Sequence, residues 1–439
     1  MKRTTGLLAA FAVPLLALSG CAAPDPLPTI DPGSSGELRA QNVSMRAVAP
    51  ADAEALDAVV TATAALGLIA LDAAPRDGNA VVSPASLATA LAMLTEGAKG
   101  RTLDDLEAAL GASGERRRDA FAALQGSVRE LDGDPAEAAG DELPAKPILH
   151  LANNLVVDTG FGVLQSYVDA LADGFDAGMQ QVDLSGDAGK QVLDAWVYEH
   201  TGGLIEHSAI EPSDDLRLVL QNATLFAARW QSPFDGNLTY ASPFTLADGS
   251  SVEVETMHMG EGQFAYATLD NGWVGVRLPY QDGAHADLLL PPAGTDPATA
   301  TPELLAQAAE RLGAAQPTLL TLSVPTIDIP ADSPLDLIES GVFDRIGIAS
   351  TLCTAGADFT GIASASSPLC VGQAQQQAVL RVAEEGTVAA AVTEIGVVFE
   401  SAMPEPTETV DFDRPFLFTI NHDATDWPLF QAAIHDPRH

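Results

Sequence analysis

One segment constrains the fold of this chain more than any other: EEGTVAAAVTEIGVVFES at 384–401. In an extended backbone alternate residues point to opposite sides. Thr387, Ala389, Ala391, Thr393, Ile395, Val397 and Phe399 then share one face that carries no charge and begins small. Val388, Ala390, Val392, Glu394, Gly396, Val398 and Glu400 share the other. Such a segment suits a sheet with one face fully buried. Yet SAMPEPTETVDFD follows at once, polar and proline-bearing as exposed loops are. Two readings stand. One is an ordinary strand with its connection; the other is a mobile loop able to enter a sheet as an added strand.

The surrounding pattern supplies that sheet. Apolar residues at helical spacing predict helices over 52–71, 84–94, 102–110, 116–131, 162–173, 190–201 and 303–312. The third has Thr102 as N-cap and Asp105 as its capping-box acid. Residues 132–147 are acidic and predict a surface loop. Strand-like runs occupy 149–157, 216–228, 252–259, 275–279, 286–290, 319–329, 378–384, 416–421 and 429–434. Helices first and strands later predict an α+β fold with a large mixed sheet. With no internal repeat or interior linker, one domain over 51–439 is expected.

Charge excludes several partners. Sixty acidic residues face 21 basic ones, a net charge of −39. No basic surface is available for nucleic acid, sulfated polysaccharide or anionic lipid. The one Arg run, Arg116 to Arg118, sits among acids and predicts a solvated helix face, so no heparin-type activator is expected. Catalytic motifs fail as well: no GxSxG, SxxK, HExxH or GxxxxGK[ST] is present. The Gly202-Gly203 pair breaks the helix that would align His200 with His207, so no metal site is expected there, and no cofactor is called for. An enzyme is the weaker class.

The start of the chain carries an address. Lys2 and Arg3 precede a short apolar run, and Leu18-Ser19-Gly20-Cys21 resembles a bacterial lipobox. The expectation is a signal peptide over 1–20, diacylation of Cys21, and a flexible tether over 22–50, rich in Pro, Gly and Ser. An ordinary secretory signal is the alternative. The protein is then exported, either as a cell-membrane lipoprotein facing outward or secreted, and touches the membrane only through Cys21. In that oxidising compartment Cys353 and Cys370 are expected to pair, the alternative being two free thiols.

Six motifs in order resemble the serpin family. They are NAVVSPAS at 79–86, NNLVV at 153–157, TGGLI at 201–205, LVLQNA at 218–223 running to WQSPF at 230–234, EEGT with the alanines after it, and DRPFLF at 413–418. The resemblance covers about 51–439. It implies three β-sheets, about eight or nine helices and an exposed reactive-centre loop over about 384–410. It also implies suicide inhibition of serine endopeptidases, or of cysteine endopeptidases, in which a protease cleaves the loop and is trapped as its acyl-enzyme when the loop inserts into the main sheet.

The resemblance also assigns residues. Glu384, Glu385, Gly386, Thr387, Ala389, Ala390 and Ala391 match the hinge. Family spacing from Gly386 puts the scissile bond at Glu400–Ser401, with Phe399 and Val398 as alternative cleavage positions. Glu400 implies a glutamyl endopeptidase, Phe399 a chymotrypsin-like or subtilisin-like enzyme, Val398 an elastase-like one. Ser83, Ser86 and Asn222 match hydrogen-bonding positions under the opening region of the sheet, and Gln376 stands where many members carry histidine, losing a pH-sensitive group. A monomer is expected. The alternative function is a non-inhibitory serpin-fold binding or scaffold protein on the cell surface; such members usually carry bulky, charged or proline residues in the hinge, and this chain does not.

Overall fold

The computed structural model describes residues 43–76, 78–140, 142–364, 366, 368–387 and 408–438. The signal peptide, Cys21, and Ala389, Ala390, Ala391, Val398, Phe399, Glu400 and Ser401 lie outside the described residues.

The helices in chain order are α1 (Leu56–Ala73), α2 (Pro84–Thr95), α3 (Gly100–Ala109), α4 (Gly114–Ser127), α5 (Pro135–Ala138), α6 (Gln165–Phe175), α7 (Asp187–His200), α8 (Pro302–Ala314) and α9 (Val342–Arg345). The strands are β1 (Ala80–Val82), β2 (Ile148–Asp158), β3 (Gly178–Val182), β4 (Leu218–Arg229), β5 (Thr239–Thr245), β6 (Ser251–Thr268), β7 (Val274–Pro279), β8 (Ala284–Leu290), β9 (Thr318–Pro325), β10 (Ile327–Ile329), β11 (Leu335–Asp336), β12 (Gln375–Gln376), β13 (Leu380–Ala383), β14 (Gly386–Thr387), β15 (Glu408–Asp411), β16 (Phe416–His422) and β17 (Pro428–Ile434).

The main sheet has six strands in the order β10-β13-β14-β4-β2-β3. A second assembly runs β1-β17-β16-β8-β7-β6-β9-β15, with β5 on β6. The long β6 joins its two parts, and its register breaks between Met259 and Gly262. The core lies between α1, α2 and β16–β17, where Phe416, Phe418, Trp427 and Leu429 are fully buried. Both β16 and β17 are buried on both faces apart from the half-buried Asn421, so apolar residues predominate on both faces of each rather than alternating. Helix α1 is long and apolar enough to cross a membrane, but it buries Val59, Leu66, Leu68 and Leu71 in this core.

Four expectations are corrected. Thr102 is not an N-cap: α3 starts at Gly100, in the left-handed region at φ 53°, behind Lys99. Thr102 Oγ1 instead donates to Ser350 O and accepts from Asp358 N, a tertiary role that overrides the local signal. The run 319–329 is two strands, since β9 pairs with β6 and β15 while β10 crosses to the main sheet and pairs with β13. The acidic stretch 132–147 contains α5, capped by Asp134. Arg117 is not solvated: it is 2% exposed and bonds Glu96 and Glu107, each at 2.6 Å. Its place on the inner side of α4 explains this, since Phe121 and Leu124 bury the same helix.

Candidate functional site

Of the residues expected to form the hinge, Glu384 to Thr387 are described, and they lie at the centre of the main sheet. Gly386 and Thr387 form β14, with Val382↔Thr387 and Ala383↔Gly386 on one side. On the other side Gly386↔Arg229 and Thr387↔Ala228 pair it with β4. Gly386 is required by space: a Cβ there would lie 2.1 Å from Ala228 O and 2.8 Å from Leu143 Cδ1. Thr387 is 1% exposed, and its Oγ1 lies 2.5 Å from the Tyr280 hydroxyl. Burial pushes the Tyr280 phenol far up, so it stays a neutral partner.

Polar contacts pin the hinge from above. Trp230 N donates to Glu385 O at 2.8 Å and Phe234 N to Glu384 O at 2.9 Å. Trp230 Nε1 donates to Ala383 O at 3.0 Å, and its ring stacks on Tyr280 with centroids 4.3 Å apart. Arg229 bridges Glu385 Oε2 at 2.6 Å and Leu143 O at 2.8 Å. Glu384 Oε1 accepts from Thr239 Oγ1 at 2.7 Å.

Below Thr387 the sheet is open. A cavity of about 120 Å³ separates residues 220–226 of β4 from residues 377–380. Ser83, Ser86, Ile420 and Phe430 line it from the core, and Val197, Thr201, Ile205 and Ala209 from the α7 side. Strand β4 pairs fully with β2, but along 218–227 its other edge has no strand partner among the described residues. The run expected over 378–384 becomes a paired strand only at Leu380, because residues 377–379 face this opening. Asn222 Oδ1, Thr224 Oγ1 and Gln376 Oε1 are buried beside it without a hydrogen-bond partner. Unpaired buried acceptors and a bare strand edge are costly to leave unmade.

The four residues expected beneath this region are gathered here. Ser83 Oγ caps α2 by accepting from Ser86 N and donates to Leu429 O at 2.8 Å. Gln376 Nε2 donates to Ser83 O at 2.9 Å, tying the start of the β12–β13 segment to α2. Asn222 Nδ2 bonds Asn153 Oδ1 at 2.6 Å on the opposite wall. Asn153 in turn bonds Gln125 Oε1 and Phe175 O. Cys353 and Cys370 are disulfide-bonded, and residues 371–374 lead directly from that bridge into β12. His200 and His207 go to different partners: His200 to His150 at 3.0 Å and His207 to Asp194 at 3.2 Å.

Sequence reasoning missed Tyr280, Arg229 and Thr239. Each meets the hinge across more than a hundred residues of chain. No local signal marks them.

The comparisons agree with this architecture. The family model described as serpin (serine protease inhibitor) matches residues 62–437. The chain belongs to the serpin family. It is 29% identical over 396 residues to a serine protease inhibitor from Cyanea capillata, covering 87% of this chain and 99% of that one. It is 30% identical over 381 residues to Iripin-8 from Ixodes ricinus, covering 84% and 91%. Among solved structures, the thermophilic serpin tengpin in its native state matches with TM-score 0.74 at 22% identity, over 91% of this chain and 97% of that one. Thyroxine-binding globulin in complex with thyroxine matches with TM-score 0.69 at 23% identity, over 87% and 99%. These two likenesses establish the serpin fold, with its three sheets.

Proposed function

We propose that this chain is a suicide inhibitor of serine endopeptidases, and of cysteine endopeptidases by the same route. The observation that carries this reading is the opening in the main sheet directly in line with the hinge. A loop continuing from Thr387 in the β14 direction meets the bare edge of β4 on one side and residues 377–380 on the other. Each ladder bond it forms contributes about 1 kcal/mol, and its uncharged face adds apolar burial.

The chemistry follows from the loop. The target's serine Oγ attacks the carbonyl carbon of Glu400, the bond to Ser401 nitrogen breaks, and that amine leaves with a proton. Glu400 stays esterified to the protease. Residues 388–400, continuing from Thr387, then enter the opening and carry the acyl-enzyme across the molecule, distorting its active site before water hydrolyses the ester. A glutamyl endopeptidase fits Glu400, because its specificity pocket supplies a cation for the carboxylate. Cleavage at Phe399 would suit chymotrypsin-like or subtilisin-like enzymes, and cleavage at Val398 elastase-like ones. On the same reading the chain is exported, Cys21 carries a diacyl anchor, and residues 22–50 tether the inhibitor to the outer face of the membrane.

The test is a denaturing gel after mixing the full chain with a glutamyl endopeptidase, an elastase and a subtilisin. A detergent-stable band at the summed mass supports the proposal. Clean loop cleavage with no such band for any of the three overturns it, and favours a non-inhibitory binding role.

A further inference from the structure

Strand β4 shows one face to the core and the other to α7. Gly386 pairs with Arg229, and alternate residues share a face, so Ala227, Leu225, Ala223 and Gln221 lie on the same side of the sheet as Gly386. Gln221 Nε2 donates to Leu193 O of α7 at 3.1 Å, which makes this the outer face.

Two leucines roof that face where the hinge ends. Leu143 is 6% exposed, and its Cδ1 stands over Gly386, 2.8 Å from where a Cβ would lie. Leu204 lines the opening together with Leu225. Helix α5 braces both. Its Ala138 is fully buried with Ile148, Leu225 and Ala227, and Leu204 packs on the same group. Leu143 follows Ala138 by five residues. Pro135 O lies against Gly202, 2.1 Å from where a Cβ would stand, and Gly202 is left-handed at φ 61°. The turn that carries Leu204 is therefore fitted to α5, and Thr201 Oγ1 fixes it by accepting from Ile205 N at 3.1 Å.

The ladders on either side of Thr387 set what a further strand would meet. Both are antiparallel, with Thr387↔Ala228 and Val382↔Thr387. A strand continuing past Thr387 meets Ala227 and Arg381 at its first position, and Leu225 and Val379 at its third. The sequence supplies Val388 and Ala390 at those positions. Along the outer face, Val388, Ala390, Val392 and Glu394 then oppose Ala227, Leu225, Ala223 and Gln221 of β4. Apolar meets apolar, and the first charge meets the first polar side chain. A slip of two residues would set Glu394 against Ala223 or Val219, both buried and apolar.

We propose that Leu143 and Leu204, braced by α5, form an apolar docking site for residues 388–390 of this chain, and that Val388 seating beneath them is the first step of loop entry. On the insertion mechanism above, on which this site depends, α5 is the element that starts entry and holds its register.

Hydrogen exchange of the slot-facing amides of residues 223–227 tests this on the full chain, before and after its loop is cut by a zinc metalloprotease, which forms no acyl-enzyme. Wild type should exchange more slowly once cut. Val388→Glu sets a carboxylate under the two leucines and alters none of the residues that hold the hinge. Its cut form should exchange about tenfold faster than cut wild type. Leu204 is half-buried, so Leu204→Lys should fold; combined with Val388→Glu it should restore slow exchange by pairing the charge. Unchanged exchange on cutting wild type overturns the insertion mechanism and this site with it. Equal slowing in wild type and Val388→Glu, or fast exchange in Val388→Glu that Leu204→Lys does not restore, overturns the docking site and leaves insertion standing.

Discussion

Replacing Thr387 with arginine tests the hinge at its most buried side chain. In the resting chain Thr387 is 1% exposed, held between β13 and β4, and bonded to Tyr280. A guanidinium at that place would need a carboxylate within reach. The nearest hinge carboxylate, Glu385, is already paired with Arg229. Desolvating an unpaired ion costs several kcal/mol, more than the roughly 1 kcal/mol that each ladder bond returns. The hinge should therefore leave the sheet. Its departure strands the Tyr280 hydroxyl, at a further cost of about 1–3 kcal/mol. Two effects follow. The thermal midpoint of the intact protein should fall, and cleaved loop should no longer enter the opening, so the protease is released. The assay pairs scanning calorimetry with the number of inhibitor molecules consumed per protease inactivated. An arginine variant with unchanged midpoint and unchanged stoichiometry would refute the reasoning.

Three further outcomes are expected. Replacing Glu400 with arginine should shift the preferred target from glutamyl to trypsin-like endopeptidases, with sequencing of the released peptide still starting at Ser401; undiminished trapping of the glutamyl enzyme, or a released peptide starting at another residue, places the scissile bond elsewhere. Cys353→Ser with Cys370→Ser opens the loop closed by the disulfide, worth about 3 kcal/mol, and loosens the segment leading into β12; the thermal midpoint should fall and loop insertion should change rate. Burial, aided by the Arg76 charge and opposed by the Gly78 carbonyl, holds His435 below its ordinary value. The unfolded chain then takes up this proton first, so the stability His435 contributes above about pH 6.5 is lost as pH falls through that value. Unfolding midpoints at pH 7.5 and 5.5 should converge toward each other in His435→Gln relative to wild type.

Much of this site was legible because its residues announce themselves locally. A small, uncharged alternate face marks a segment able to enter a sheet, and the resemblance assigns Gly386 before it to a hinge. Ser83 ahead of Pro84 marks a helix start, and the structure places its hydroxyl as that cap. Gln376 could be placed only by resemblance, and its bond to Ser83 O joins residues far apart in sequence. Tyr280 and Arg229 were illegible for the same reason, since their roles arise only when β4, β7 and the hinge converge. The run 319–329 shows a different limit. Its apolar residues continue through Thr326, so periodicity sees one strand where the backbone passes between two sheets. Thr102 shows a third, because a good capping residue was taken for a tertiary bond.

The central claim is that the opening beside β4 receives the cleaved loop. Hydrogen exchange of residues 218–227 and 377–380, measured on the intact chain and again after reaction with a glutamyl endopeptidase, tests it most directly. The account predicts that amides along the bare β4 edge exchange readily before cleavage and become strongly protected in the covalent complex. Equal exchange before and after, with the loop cleaved, would contradict it.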